Sequence, residues 1–136
     1  MGTTSRGEQF LLVDSGPGDT DRIIMWSTPE NLRVLALCSV WLSDGTFKVT
    51  PPLFMQLYTI HGSYKERIFP LVYALLPTKT QEVYERVLRA VLSKIRESQP
   101  LFFGPSMFII DFEKSAQNAI HKTFPRTIGK LKPPTC

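Results

Sequence analysis

Two aspartates stand out by where the chain puts them. Asp44 lies in the run Val40 to Val49, on the same strand face as Leu42 and Thr46. Asp111 closes the apolar run Met107-Phe108-Ile109-Ile110. Two carboxylates held close together repel, and a divalent cation relieves the repulsion. Mg²⁺ favours one or two carboxylates plus substrate phosphate oxygens over a full protein cage. Two such ions about 3.5–4 Å apart activate an attacking water or hydroxyl and stabilise the leaving oxygen of a phosphodiester. Each aspartate also has an ordinary reading. Ser43-Asp44-Gly45-Thr46 contains the Asp-Gly pair of hairpin turns. Asp111 suits the N-cap of a helix that begins Phe112-Glu113-Lys114. Glu113 reads as a solvent-facing residue or as a partner for the positive end of that helix dipole.

Other chemistry is poorly served. Cys38, His61, His121 and Cys136 are the zinc-type ligands, and no two of them have ligand spacing. No Gly-x-Ser-x-Gly elbow is present. Gly16 and Gly18 are followed by no Lys-Ser/Thr pair, so Asp14 to Asp19 reads as a turn. Phe47, Phe102 and Phe103 could stack bases, but core packing is the plainer reading. The basic excess has a location. The chain carries 16 basic and 12 acidic residues, and Lys122, Arg126, Lys130 and Lys132 close it with no acid among them. Those four could touch nucleic-acid phosphates, or simply form a solvated terminus.

The elements that must position the aspartates follow from pattern. Phe10 to Val13 and Ile23 to Trp26 flank the turn as a β-hairpin. Thr28-Pro29-Glu30 starts a helix that ends near Cys38. Strands are expected over Val40 to Val49, Leu53 to His61 and Ile68 to Leu76, broken by Pro51-Pro52 and by polar Gly62 to Arg67. Pro70 places an edge or a bulge near the start of the third. Thr78 or Thr80 caps the next helix, whose stripe runs Val83, Tyr84, Val87, Leu88, Val91, Leu92, Ile95. Met107 to Ile110 is a strand buried on both faces. Ala116, Ala119, Ile120 and Phe124 mark a last helix, stopped by Pro125.

The expected fold is α/β. From residue 40 the order β-β-β-α-β-α is that of a ribonuclease H-like mixed sheet, preceded by a hairpin and a helix. In such a sheet the first and fourth strands adjoin, which brings Asp44 towards Asp111. The 136 residues suit one domain. We divide them into a flexible 1–9, a folded 10–125 and a basic irregular tail 126–136. No fifth strand is expected, which would leave a central strand edge open to a second copy, so a homo-oligomer is among the expected partners. No apolar run nears the ~20 residues of a membrane helix. The N-terminus has no apolar signal core, and Arg6 stands where a myristoylation motif needs Ser or Thr. Two cysteines argue against a disulfide framework.

Specific motifs add to this. Trp41-Leu42-Ser43-Asp44-Gly45-Thr46-Phe47-Lys48-Val49 resembles the first acidic motif of the MULE (Mutator-like element) transposase domain. Leu57 to His61 and Val72 to Pro77 resemble its next two strands, and Ile110-Asp111-Phe112-Glu113-Lys114-Ser115-Ala116 its second acidic motif. The likeness covers about residues 10–125 and is closest to the animal type associated with FLYWCH zinc fingers. It implies a DDE-type core that cuts and joins DNA with Mg²⁺ or Mn²⁺. Asp44 and Asp111 match the first two catalytic acids and metal ligands. It implies DNA as partner and a nuclear location, with no membrane and no small-molecule substrate. The sequence also departs from the family. The Cys-x-x-His motif and the later helical Glu are absent, and Glu113 is the last acid. The expectation is therefore a truncated core with an incomplete metal site and impaired chemistry. The alternatives are an inactive module that binds DNA or protein, and an unrelated basic α/β protein.

Overall fold

A computed structural model describes residues 10–46 and 53–132. The expectations for residues 1–9, for Phe47 to Val49, for Pro51-Pro52 and for Cys136 lie outside the described residues. The chain opens with β1 (Phe10–Asp14), β2 (Ile24–Ser27) and α1 (Pro29–Leu37). Then come β3 (Val40–Thr46), β4 (Gln56–Tyr64), β5 (Arg67–Leu76) and α2 (Gln81–Arg96). It closes with β6 (Met107–Ile110), α3 (Lys114–Thr123) and β7 (Ile128–Leu131). The strands form one mixed sheet in the order β1-β2-β5-β4-β3-β6-β7. Strands β1 to β5 pair antiparallel, whereas β6 runs parallel to both β3 and β7.

The helices form where local chemistry starts them. Thr28 Oγ1 accepts from the Asn31 N–H at 2.8 Å, with Pro29 in the first turn. Thr80, not Thr78, caps α2 by accepting from the Val83 N–H at 3.3 Å. The α2 stripe Val83, Tyr84, Val87, Leu88, Val91 and Ile95 is buried. All three helices cover one face of the sheet. Trp41 of β3 donates its indole N–H to the Leu35 carbonyl of α1 at 3.0 Å and packs on Phe124 at the end of α3. Tyr58 of β4, on the same face, meets Tyr84 of α2 at 5.2 Å between ring centres. Trp41 is fully buried among Phe102, Phe108 and Phe124. This packing ties β3 to β6, the two strands that carry the aspartates.

Three expectations need correction. Residues 62–67 do not break the sheet. Strand β4 runs on to Tyr64 and β5 begins at Arg67, joined by Lys65 and Glu66 with φ of 52° and 67°. Two left-handed central residues are what a two-residue hairpin of right-handed twist demands, and here the long β4–β5 ladder imposes them on residues that lack glycine's freedom. Gly62 is needed for a different reason. A Cβ there would stand 2.6 Å from Cys38 Sγ, so only glycine lets β4 pass under α1's end. Second, residues 128–131 are a strand, not part of an irregular tail. The Ile128 N–H donates to the Ser106 carbonyl at 2.9 Å, and Thr127 Oγ1–H to the Pro105 carbonyl at 2.6 Å. All four β7 residues are exposed, so no burial period marks them in the sequence. Third, β6 is consequently paired on both sides, and the sheet edges are β1 and β7. Pro70 does sit at a bulge. Ile60 pairs with Val72 but His61 with Pro70, leaving Leu71 extra. The Leu71 carbonyl accepts from Ser27 Oγ–H at 2.7 Å, which satisfies the bulge.

Candidate functional site

The hairpin reading of Asp44 fails first. Ser43, Asp44, Gly45 and Thr46 lie inside β3, opposite Ile60, Thr59, Tyr58 and Leu57 of β4. On the other side, Val40, Trp41 and Leu42 pair with Met107, Phe108 and Ile109 of β6. Continuing that parallel register by two residues brings Asp44 opposite Asp111. The register of β6 with β7 does the same for Lys132. Ile110 pairs with Leu131, and the Lys132 N–H donates to the Ile110 carbonyl at 2.8 Å. Asp44 of β3, Asp111 just past the end of β6 and Lys132 just past the end of β7 thus form one row, on the face away from the helices.

The side chains meet. Lys132 Nζ lies 3.1 Å from Asp111 Oδ1 and 3.5 Å from Asp44 Oδ1. The two carboxylate oxygens are therefore no further apart than the sum of these distances, about 6.6 Å. The carboxylates are about half exposed, at 55% and 51%, and the lysine less so at 31%. His61 lies on the same face, paired with Leu42 one step from Asp44. Burial holds its pKa below the usual histidine value, and the Lys132 charge adds to this while Asp44 opposes it.

The helix-cap reading of Asp111 also fails, because Glu113 occupies the N-cap position of α3 and makes no capping bond with its side chain. Nor is Glu113 a free surface acid: it is half-buried. Its carboxylate accepts from Tyr84 Oη–H, at 2.9 Å to one oxygen and 3.1 Å to the other. Tyr84 Oη in turn accepts from Gln56 Nε2–H at 2.9 Å. This chain crosses from β4 through α2 to α3, and the sequence offered no signal for it beyond Tyr84 in the stripe. Beside it a cleft of about 220 Å³ is lined by Ser43, Gln56, Tyr58, Lys79, Asp111 and Phe112, among others. Glu113 is thus committed to the helix face and Asp111 to the end of its strand.

The basic residues divide. Lys122 pairs with Glu85 at 3.7 Å, and Arg126 lies over the Phe103 ring at 4.6 Å. Lys132 is on the aspartates. Lys130 is exposed, two residues before Lys132 on β7. Of the zinc-type ligands, Cys38 is buried with its thiol donating to the Val34 carbonyl at 3.2 Å. Among the described residues no three His, Cys, Asp or Glu side chains gather as a metal site. Asp44 and Asp111 build one cation position, and the Lys132 ammonium stands in it. Two carboxylates with that cation between them do not fit a two-ion centre.

No helix among the described residues is long and apolar enough to cross a membrane. No curated protein matches the chain. A family model described as the MULE transposase domain matches residues 40–131, from the first residue of β3 to the last of β7.

Proposed function

Because the chain belongs to the MULE transposase domain family, we propose that these residues form a transposase-derived DNA-processing core whose strand-cutting chemistry is impaired. One observation carries the reading. Asp44 and Asp111 converge on adjacent parallel strands, held there by the β3–β6 register. The order β5-β4-β3-β6-β7, with α2 linking the antiparallel strands to β6, supports a ribonuclease H-like arrangement. In that reading Asp44 and Asp111 are the family's first two acids. The impairment follows from the donor set. Phosphodiester hydrolysis of this type draws on ions that stabilise both attacking and leaving oxygens. Here two carboxylates share a lysine, and no third acid joins them among the described residues. Exposed Lys130, on the same face and one strand step from the pair, suits a DNA phosphate. A second copy would add at the β1 or β7 edge. The site of action in this reading is nuclear DNA.

The test combines cutting and binding. With supercoiled plasmid and Mg²⁺ or Mn²⁺, the chain should nick no faster than its Asp44→Asn and Asp111→Asn variants. It should nonetheless bind duplex DNA at low salt and release it as salt rises. Robust nicking lost in either variant would overturn the impairment. Failure to bind DNA at low salt would replace this reading with a protein-interaction module.

A further inference from the structure

Lys132 is placed by the main chain, not by chance reach of a long side chain. Its N–H extends the β6–β7 ladder by one rung onto the Ile110 carbonyl. That fixes its Cα beside Asp111 and leaves the ammonium to settle between the two carboxylates. It is the least exposed member of the trio. We propose that Lys132 is the resident cation of the Asp44–Asp111 pair and competes with divalent metal ions for it.

The physical reason is occupancy and charge. One ammonium between two carboxylates leaves a single net negative charge, which attracts a divalent ion far less than two would. A metal ion close enough to ligate both aspartates must share their space with a like charge or drive the lysine into solvent. The carboxylates' half exposure lets water screen the competition, so the exclusion is graded. His61, also on this face, is held toward its neutral form by burial, and Lys130, two residues before Lys132, adds positive charge on the same face. The inference concerns the ion pair itself and does not depend on the DNA reading.

The probe is Mn²⁺ alone, titrated into the full chain without DNA by calorimetry. Lys132→Met keeps the aliphatic stem and Lys132→Gln keeps polarity, and both remove the charge. Each should bind Mn²⁺ about tenfold more tightly than the parent, and adding Asp44→Asn should abolish the gain. Equal affinity for parent and variants would overturn the proposal, as would a gain that survives Asp44→Asn. A measurement on the parent fold stands beside these. The Lys132 ammonium resonance should be distinct from those of the other lysines and shift with Asp111→Asn. An ammonium signal indifferent to that change would count equally against the proposal.

Discussion

Trp41→Ala should lower the free energy of unfolding by about 3–5 kcal/mol, the range for emptying a large buried aromatic site. That is a large share of the roughly 5–15 kcal/mol that holds a domain together. The ring is fully buried, with Phe102, Phe108 and Phe124 centred 5.6–5.9 Å away. These neighbours come from β6 and from the segments flanking α2 and α3, so they cannot easily close the cavity together. The indole N–H bond to the Leu35 carbonyl is also lost. Trp41→Phe separates the two contributions. It keeps most of the aromatic packing and gives up the hydrogen bond, worth about 1 kcal/mol. Urea unfolding of the three proteins reads this directly. A loss under about 1 kcal/mol for Trp41→Ala would mean that this cluster does not hold β3 against β6.

The second large effect is alkaline. Burial pushes the pKa of Tyr58 and Tyr84 well above the usual tyrosine value, and the negative charge of Glu113 pushes the same way. Tyr58 Oη is buried without a well-formed hydrogen bond, and the neighbouring Ser43 hydroxyl offsets only part of the burial. Tyr84 gains a little relief from Gln56 but donates to a carboxylate, which favours its neutral form. An unfolded tyrosine releases its proton near pH 10. The folded protein keeps both protons above that pH, so it binds more protons than the unfolded chain and stability falls as pH rises. The stabilisation is complete below about pH 10 and declines above it by up to about 1.4 kcal/mol per pH unit for each tyrosine. Tyr58→Phe should remove one share of that slope at little cost near neutrality, since its hydroxyl makes no well-formed hydrogen bond. Unfolding midpoints unchanged between about pH 9 and 11 would contradict this.

The sequence disclosed most of what repeats or caps. The α2 stripe and the Thr28 cap each carry a local signal and stand in the structure, with only Leu92 of the stripe left half-buried. The strand before Asp111 forms where expected, but only Phe108 and Ile110 are buried, so one face and not both is covered. What escaped was set by partners distant in the chain. Strand β7 has four exposed residues and exists through main-chain bonds to β6, which leave no hydrophobic period. The Lys65-Glu66 turn lacks the expected glycine because the flanking ladder dictates it. Asp44 looked equally like a turn residue, and only its pairing with Thr59 decides the matter. Lys132 was visible as charge, but its place beside two aspartates depends on the strand that was missed. Glu113 looked like a surface acid because Tyr84, its partner, lies on another helix.

Everything proposed for the pair requires Asp44 of β3 and Asp111, one residue past β6, to be lateral neighbours. Adjacent strands lie about 4.8 Å apart, inside the roughly 4.4–6.8 Å Cα separation that a disulfide spans. The direct test is a chain carrying Asp44→Cys, Asp111→Cys and Cys136→Ser, oxidised mildly under native conditions. Cys38 stays out of the reaction, because it is buried and its thiol pKa is raised by that burial. The expected result is a monomer with a single intramolecular disulfide between positions 44 and 111, mapped by peptide mass. A folded monomer in which both new thiols remain free would show that the two positions do not meet.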